Sequence, residues 1–348
     1  MIDEAVVLGI ETSCDETAAA VVRGDGTVVS NVVASQDSFH AHFGGVVPEI
    51  ASRRHTEVIT AVVEDALQEG GVGPEHLGLI AVTHGPGLVG SLVVGVAAAK
   101  AYALAWNLPL VAVNHVEAHL HAAFLHPPGE EPSARQDYPA LCLIVSGGHT
   151  DLIAVPEAGK YRLVGCTRDD AAGEALDKAA RLLGLGYPGG PAIERAAVEG
   201  NPEAVPLPRP LLDGYDFSFA GLKSALARLV EERPPATAKD VADLAASFQA
   251  AVIDTLWART RQALAELQPR QLIVAGGVAA NRRLREVFHA EAEKCGVRLA
   301  IPPLHFCTDN AAMVALCGME VFRRSGPAPA DFDVFSALPS PGGPEEKT

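Results

Sequence analysis

Short apolar runs alternate along most of the chain with longer segments of helical periodicity. Early in the chain, apolar runs bounded by polar turns predict strands, and the periodic segment 50–67 predicts a helix. A second helix, rich in Ala, Gly and Val, ends at Trp106, and Asn114 is predicted to cap a third. The strands predicted in this part are 6–10, 18–22, 27–33, 79–83 and 110–113. Short strands alternating with helices favour an α/β fold.

The opening pattern recurs in the second half of the chain. Strand 6–10, its polar turn and its returning strand have a counterpart in strand 141–145, turn 146–150 and strand 152–155. Further predictions are strands 272–275 and 297–301 and helices 282–292 and 311–322. The repeat indicates an internally duplicated fold with a ligand cleft between two lobes. The predicted parts are an N-terminal lobe 1–125, a linker 126–138, a C-terminal lobe 139–325 and a partly loose extension 326–348.

Composition narrows the class of protein. The chain has 348 residues, of which 48% are hydrophobic, as in a globular protein. No run of about 18 apolar residues is free of charge, and Met1–Glu4 is acidic where a signal peptide is basic. We therefore expect a soluble, cytoplasmic protein that does not enter a membrane. The six cysteines form no Cys-x-x-Cys pair, which favours reduced thiols over disulfides or a zinc knuckle.

The net charge of −16, from 27 basic and 43 acidic residues, repels phosphate backbones. Nucleic-acid binding would need a local basic patch or a helper protein. The tight basic clusters are Arg53 with Arg54 and His55, and Arg282 and Arg283 with Arg285. Each is also typical of a solvated helix face.

The run 114–121 carries the sharpest chemical signal. His115 and His119 are four residues apart, so on a helix their side chains share one face, as two ligands of one divalent metal do. The alternative is a capped helix with surface histidines. A zinc peptidase would place its glutamate directly after the first histidine, but Val116 stands there and Glu117 falls on the opposite side. Asp309, between a strand and a helix, is the candidate third ligand; helix capping is its alternative role.

Glycine-rich turns mark further candidate binding segments. The turn 146–150 offers backbone amides and a hydroxyl to a phosphate or carboxylate, although a plain hairpin has the same sequence. The segment 276–281 follows a strand and opens a helix, where a nucleotide can dock, yet it is neither a dinucleotide fingerprint nor a P-loop. Gly189 and Gly190 would let a nucleoside approach the backbone. Asp177 lies on a helix, where a solvated face is the alternative.

These segments stand in the order of one protein family. The matching blocks are 9–17, 44–49, 85–87, 114–119, 145–150, 169–178, 187–190, 276–281 and 308–310. On them the chain resembles the tRNA N6-adenosine threonylcarbamoyltransferase family, in its bacterial TsaD branch, over about residues 6–323. That family was formerly labelled a glycoprotease or O-sialoglycoprotein endopeptidase family.

The resemblance implies an actin-like, sugar-kinase-like (ASKHA) duplicated fold with a nucleotide cleft between its lobes. It also implies one divalent metal per subunit on His115, His119 and Asp309, either iron, which we expect, or zinc. The residues implied to contact the activated substrate are Val145, Ser146, Gly147, Gly148, His149, Asp177, Gly190 and Asn281. The archaeal and eukaryotic branch has tyrosine where this chain has Val145, which leaves the metal's remaining positions to water, substrate or His149.

The implied reaction moves the threonylcarbamoyl group of threonylcarbamoyl-AMP to N6 of the adenosine 3′ of the anticodon, position 37, releasing AMP. The tRNAs implied are those reading codons that begin with A, and no side chain stands out as a base. The implied partners are tRNA, a paralogous TsaB-like scaffold subunit and a small TsaE-like ATPase. A metal-dependent peptidase and a non-catalytic nucleotide-binding scaffold are the alternatives. Val116 weighs against the first, and the presence of His115, His119 and Asp309 weighs against the second.

Overall fold

The computed structural model describes residues 5–40, 43, 45–132, 134–210 and 212–337. The chain forms two compact units. The first comprises Met1–Gln136, Ala158–Lys160 and Pro302–Thr348, and the second comprises Asp137–Glu157 and Tyr161–Ile301.

Both units are mixed α/β. The described strands are β1 (Val6–Glu11), β2 (Glu16–Arg23), β3 (Val28–Ser35), β4 (Leu77–Gly85), β5 (Leu110–Asn114), β6 (Ala140–Val145), β7 (Thr150–Glu157), β8 (Lys160–Cys166), β9 (Gln271–Ala275) and β10 (Arg298–Ala300). The described α-helices are α1 (Asp37–His40), α2 (Pro48–Gly70), α3 (Val89–Trp106), α4 (His115–His121), α5 (Ala172–Leu182), α6 (Gly189–Ala197), α7 (Ala220–Glu232), α8 (Ala238–Leu267), α9 (Arg282–Cys295) and α10 (Ala311–Ser325).

The two sheets share one topology, which confirms the predicted duplication. The first has strand order β3-β2-β1-β4-β5 and the second β8-β7-β6-β9-β10. In each, the opening strand pairs antiparallel with the next strand on one side and parallel with a later strand on the other. The segments that connect these parallel neighbours contain helices, as crossover connections usually do.

Helices pack on both faces of the first sheet. Alternate residues of β1 point to opposite faces, so this strand contacts helices on both sides. Leu8 and Ile10 belong to the core cluster that also holds the apolar faces of α2 and α3. Between them, Gly9 lies against α10: a Cβ there would sit 2.1 Å from the carbonyl oxygen of Ala311 and 2.8 Å from the amide nitrogen of Ala315. A glycine at this position therefore lets α10 approach the backbone of β1.

This packing explains why α10 lies in the first unit. The prediction of a C-terminal lobe 139–325 that includes this helix is therefore wrong for residues 302–325. Residues Ala311 to Met319 of α10 are buried, and the helix contacts β1, β2, β4 and β5. Helical periodicity shows that a helix has an apolar face but not which sheet that face meets.

The chain after α10 continues along the first unit. The Ala328 amide donates to the carbonyl of Leu110 at 2.8 Å, and the Phe335 amide donates to that of His84 at 2.9 Å. The Lys100 ammonium donates to the carbonyl of Phe332 at 2.7 Å. This part of the predicted loose extension is thus packed; its remainder, 338–348, lies outside the described residues, as do Met1–Glu4 and Gly44 of the sequence blocks.

Among the described residues, α3 alone is long and apolar enough to cross a membrane by length and composition, with a mean hydropathy of 1.5 over 18 residues. Helices at the core of soluble proteins meet the same criterion. Here α3 packs on α2 and β4.

Candidate active site

Two histidines project from the short helix α4 at the end of β5. Asn114 caps this helix as predicted: its side-chain oxygen accepts from the amides of Val116 at 2.9 Å and Glu117 at 3.2 Å. The rings of His115 and His119 lie edge to face with centroids 4.7 Å apart. Both are buried, which is not the arrangement expected of surface histidines.

Asp309 completes a group of three with these histidines. Its Oδ1 lies 3.3 Å from Nε2 of His119 and 3.6 Å from Nε2 of His115. The predicted alternative, capping of α10, falls instead to Asn310, whose side chain accepts from the Met313 amide at 3.0 Å. The structure therefore brings together the three predicted metal ligands.

The donor set of this group fits a divalent metal. Two imidazole nitrogens and one carboxylate oxygen suit iron or zinc. Bonds of about 2.1 Å at tetrahedral angles separate ligand atoms by about 3.4 Å, close to the separations between these side chains. Neither ring nitrogen of His119 has a hydrogen-bond partner among the described residues, although the side chain is fully buried. A bound ion would satisfy the nitrogen that faces Asp309.

Glu11, at the end of β1, contacts His115 at Nδ1, the ring nitrogen on the side away from Asp309. Its Oε2 lies 3.1 Å from Nδ1 of His115 and accepts from the Thr83 hydroxyl at 2.6 Å, while Oε1 accepts from the Ser13 amide at 2.5 Å. A carboxylate on the far nitrogen fixes the ring and its tautomer and raises its basicity as a ligand. No local pattern in the sequence predicts a role for Glu11, although it lies in the first matching block, 9–17.

Charges at this site shift two pKa values. Burial raises the pKa of Glu11, but the charge and hydrogen bond of His115 outweigh it, so the pKa lies below its usual value. Burial lowers the pKa of His115, but Asp309 and Glu11 together raise it to about 9. A proton and a metal ion therefore compete for His115.

Glu117 points away from the histidine pair, as the helical spacing predicted. Its Oε1 accepts from the guanidinium of Arg324 at 3.1 Å. The side chain of Val116 is fully buried. The arrangement of a zinc peptidase, with a glutamate base beside the first histidine, is absent from this described helix.

In the second unit, the turn after β6 has an open backbone. The Ser146 amide donates to the carbonyl of His149 at 2.9 Å, and the His149 amide donates to the Ser146 hydroxyl at 3.1 Å. A Cβ on Gly147 or Gly148 would meet no atom within 4 Å, so these positions are accessible to a ligand. Val145 is the last residue of β6 and its side chain is buried, which leaves only its backbone for a contact.

The segment after β9 lies beside this turn, because β6 and β9 are parallel neighbours. Gly276 has a φ of +95°, and a Cβ there would sit 2.4 Å from the carbonyl oxygen of Val145. Asn281 caps α9 by accepting from the Leu284 amide at 3.0 Å, and its amide group donates to Gln249 at 2.7 Å. The side chain of Asn281 thus has partners within the protein at both of its polar atoms.

Asp177 and Gly190 meet at the start of α6. Oδ1 of Asp177 accepts from the Gly189 amide at 2.7 Å. Burial raises the pKa of Asp177 against the opposing effect of the Gly189 and Gly190 amides. A Cβ on Gly190 would meet nothing within 4 Å. The substrate roles of all these second-unit residues stay predictions.

Comparison with known proteins agrees with this architecture. A family model described as tRNA N6-adenosine threonylcarbamoyltransferase matches residues 27–316. The tRNA N6-adenosine threonylcarbamoyltransferase of Symbiobacterium thermophilum is 54% identical over 92% of this chain and 93% of its own, and that of Geobacillus kaustophilus is 51% identical over 97% and 98%. A solved structure of HypF from T. kodakarensis shares the fold, with a TM-score of 0.62 at 14% identity, over 92% of this chain and 48% of that one.

The fold is therefore the actin-like duplicated α/β fold that the sequence implied. The relatives match nearly the whole chain, and the range matched by the family model contains both glycine-rich turns and the positions of His115, His119 and Asp309. On this evidence, the chain belongs to the tRNA N6-adenosine threonylcarbamoyltransferase family.

Proposed function

We propose that the chain is an acyltransferase that moves the threonylcarbamoyl group of threonylcarbamoyl-AMP to N6 of adenosine 37 in tRNAs reading codons that begin with A. The observation that carries this proposal is the convergence of His115, His119 and Asp309 in a chain of this family. A catalytically silent scaffold has no need of three metal ligands brought together from α4 and from the residues before α10.

His115, His119 and Asp309 would hold one divalent ion, which we propose to be iron, with zinc as the alternative; that ion would supply Lewis-acid polarisation of an oxygen of the activated carbamate. Glu11 keeps the His115 ring oriented with Nε2 toward Asp309, so the ligand set is ordered before substrate arrives. In the transfer step, the N6 amine attacks the carbamoyl carbon and the bond from that carbon to the phosphate oxygen breaks. AMP leaves with the electron pair of that bond, and N6 loses a proton to solvent.

The second unit is proposed to bind the adenylate. The space beside the Cα atoms of Gly147 and Gly148 lets an anionic oxygen approach the backbone of this turn, which also contains the Ser146 hydroxyl. Gly190, with space beside its Cα, lets a nucleoside approach the start of α6. Asp177 acts as a positioning residue here by holding the Gly189 amide.

Acceptor binding is proposed to need a partner. The chain carries a net charge of −16. Arg282 and Arg283 both pair with Glu286 on their own helix, which reduces their attraction for phosphate. A paralogous scaffold subunit that contributes basic surface, together with a small ATPase, would reconcile this charge with a tRNA substrate in the cytoplasm.

The test is a reconstituted reaction followed by nucleoside mass analysis. Unmodified tRNA is incubated with the chain, its partner proteins, threonine, bicarbonate, ATP and the adenylate-forming enzyme. We expect threonylcarbamoyladenosine with the parent and none with a His115→Ala/His119→Ala variant. A reaction verified with an active relative but giving no product with this chain would support the scaffold alternative, and cleavage of a glycoprotein substrate by the parent alone would support the peptidase.

A further inference from the structure

A second group of metal-ligating side chains lies in the first unit, apart from the candidate active site. One ring nitrogen of His121, the sulfur of Cys317 and a carboxylate oxygen of Glu117 all lie within 4.8 Å of one another. Glu117 and His121 are four residues apart on α4 and so share a face, while Cys317 comes from α10, which packs against it. All three side chains are buried.

His121 has an unsatisfied nitrogen in this group. Its Nδ1 lies 3.4 Å from the side-chain amide nitrogen of Gln136, whereas Nε2 has no hydrogen-bond partner among the described residues. The side chain is only 4% exposed, so water does not readily replace the missing partner. A buried polar atom without a partner costs free energy and indicates a missing ligand or ion.

The other two side chains can also offer a ligand atom. Cys317 is a free, fully buried thiol. Glu117 gives Oε1 to Arg324, and its carboxylate has a second oxygen to offer. Arg324 also balances the negative charge that a thiolate and a carboxylate would bring to the site. Mixed nitrogen, sulfur and oxygen ligands are characteristic of Zn²⁺.

A cavity reaches one member of this group, His121. His121 lines a cavity of about 630 Å³ in the first unit, together with Asp25, Glu320 and His126. The carboxylates of the wall attract cations, and the cavity can supply a water as the fourth ligand of a tetrahedral ion. Ligand atoms around zinc are about 3.5 Å apart, so ligand atoms that lie up to 4.8 Å apart would approach one another by up to about 1.3 Å around an ion.

We propose that Glu117, His121 and Cys317 form a second metal site, which takes Zn²⁺ and joins α4 to α10. On binding, a sulfur–zinc bond forms and the thiol proton of Cys317 passes to solvent, with no oxidation or reduction. The site has a structural role, because it links the two helices next to the candidate active site. Helix α4 carries His115 and His119, and Asp309 lies two residues before the start of α10. A metal ion bound to both helices would fix the position of His115 and His119 relative to Asp309.

Cobalt substitution tests this proposal, because only the second site contains sulfur. The full-length chain is freed of metal by a chelator and titrated with Co²⁺, and a thiolate-to-cobalt charge-transfer band is recorded in the near ultraviolet. We expect the band in the parent and in a His115→Ala/His119→Ala variant, but not in Cys317→Ala or His121→Ala. Two matched controls, the buried Cys142→Ala and the exposed Cys295→Ser, keep the band.

Zinc content gives a second readout on the same proteins. The parent binds one more equivalent of zinc than Cys317→Ala, with circular dichroism showing that the variant is folded. Absence of the band in the parent overturns the proposal, and so does a band that Cys295→Ser abolishes. A Cys317→Ala variant that fails to fold leaves the decision to His121→Ala, which must lose the band while a folded His126→Ala keeps it.

Discussion

The orientation of His115 by Glu11 makes the affinity of the candidate active site for metal sensitive to a residue that does not touch the ion. Glu11→Gln keeps the shape of the side chain but removes its charge. Three hydrogen-bonding groups approach this carboxylate, from His115 at 3.1 Å, Thr83 at 2.6 Å and Ser13 at 2.5 Å. The amide of glutamine cannot accept at both of its ends, so at least one of these bonds is lost.

Loss of such a partner weakens metal binding by about 10- to 100-fold. Removing the charge also lowers the pKa of His115, which relieves part of the competition from the proton and offsets part of the loss. We therefore expect the lower end of the range: Kd for Zn²⁺ rises about tenfold, or about 1.4 kcal/mol.

The assay is a competitive titration of metal-free protein with Zn²⁺ and a chromophoric chelator. It is run in a Cys317→Ala background, so that His115, His119 and Asp309 are the ligands measured. Glu64→Gln, an exposed charge-neutralising change on α2, is the control and leaves Kd at the parent value. An equal Kd for Glu11→Gln and its background would refute the reasoning that Glu11 orients the histidine.

Three further outcomes follow from the packing and the charges. In Gly190→Ala the added methyl group meets no protein atom, so we expect an unchanged Tm by calorimetry. The methyl group would obstruct the substrate, so we expect a raised KM for threonylcarbamoyl-AMP, and an unchanged KM would show that Gly190 is not part of the substrate site. Gly9→Ala would drive a methyl group into the Ala311 carbonyl, and we expect a loss of about 3 kcal/mol in chemical denaturation, contradicted by a loss under 1 kcal/mol. Because Glu286 already pairs with Arg282 and Arg283, replacing both by Gln should change tRNA binding by the assembled enzyme and its salt dependence little in filter-binding assays, and a clear loss of tRNA binding with a flatter salt dependence would place the basic patch on this helix.

The sequence was most informative where one local pattern determines one local structure. The cap at Asn114 and the shared face of His115 and His119 depend on contacts within a few residues, and both predictions are confirmed. The hairpin after β1 and that after β6 also have local signatures, which is why the duplication could be read from the chain.

Long-range packing could not be read in the same way. Helical periodicity alone would let the apolar face of α10 pack on either sheet, and its contacts with β1, β2, β4 and β5, including the close approach of Gly9 to Ala311 and Ala315, place it on the first. Glu11 and His115 are in contact although they are 104 residues apart in the sequence, and no spacing rule predicts a contact over such a separation. The strand β8 and the 30-residue helix α8 were also not predicted. Helix α8 is buried along much of its length, so its sequence does not separate clearly into an apolar and a polar face.

The central claim is that His115, His119 and Asp309 support threonylcarbamoyl transfer to tRNA. Single-turnover reactions with preformed threonylcarbamoyl-AMP and unmodified tRNA test it most directly, in the presence of the partner proteins. The modified nucleoside is quantified by mass spectrometry and metal content is measured on the same samples, for the parent and for Asp309→Asn. We predict that the parent forms threonylcarbamoyladenosine and that the variant, folded by circular dichroism, binds one equivalent of metal fewer than the parent and forms no product. Transfer at the parent rate by an Asp309→Asn protein that lacks this equivalent would contradict the claim.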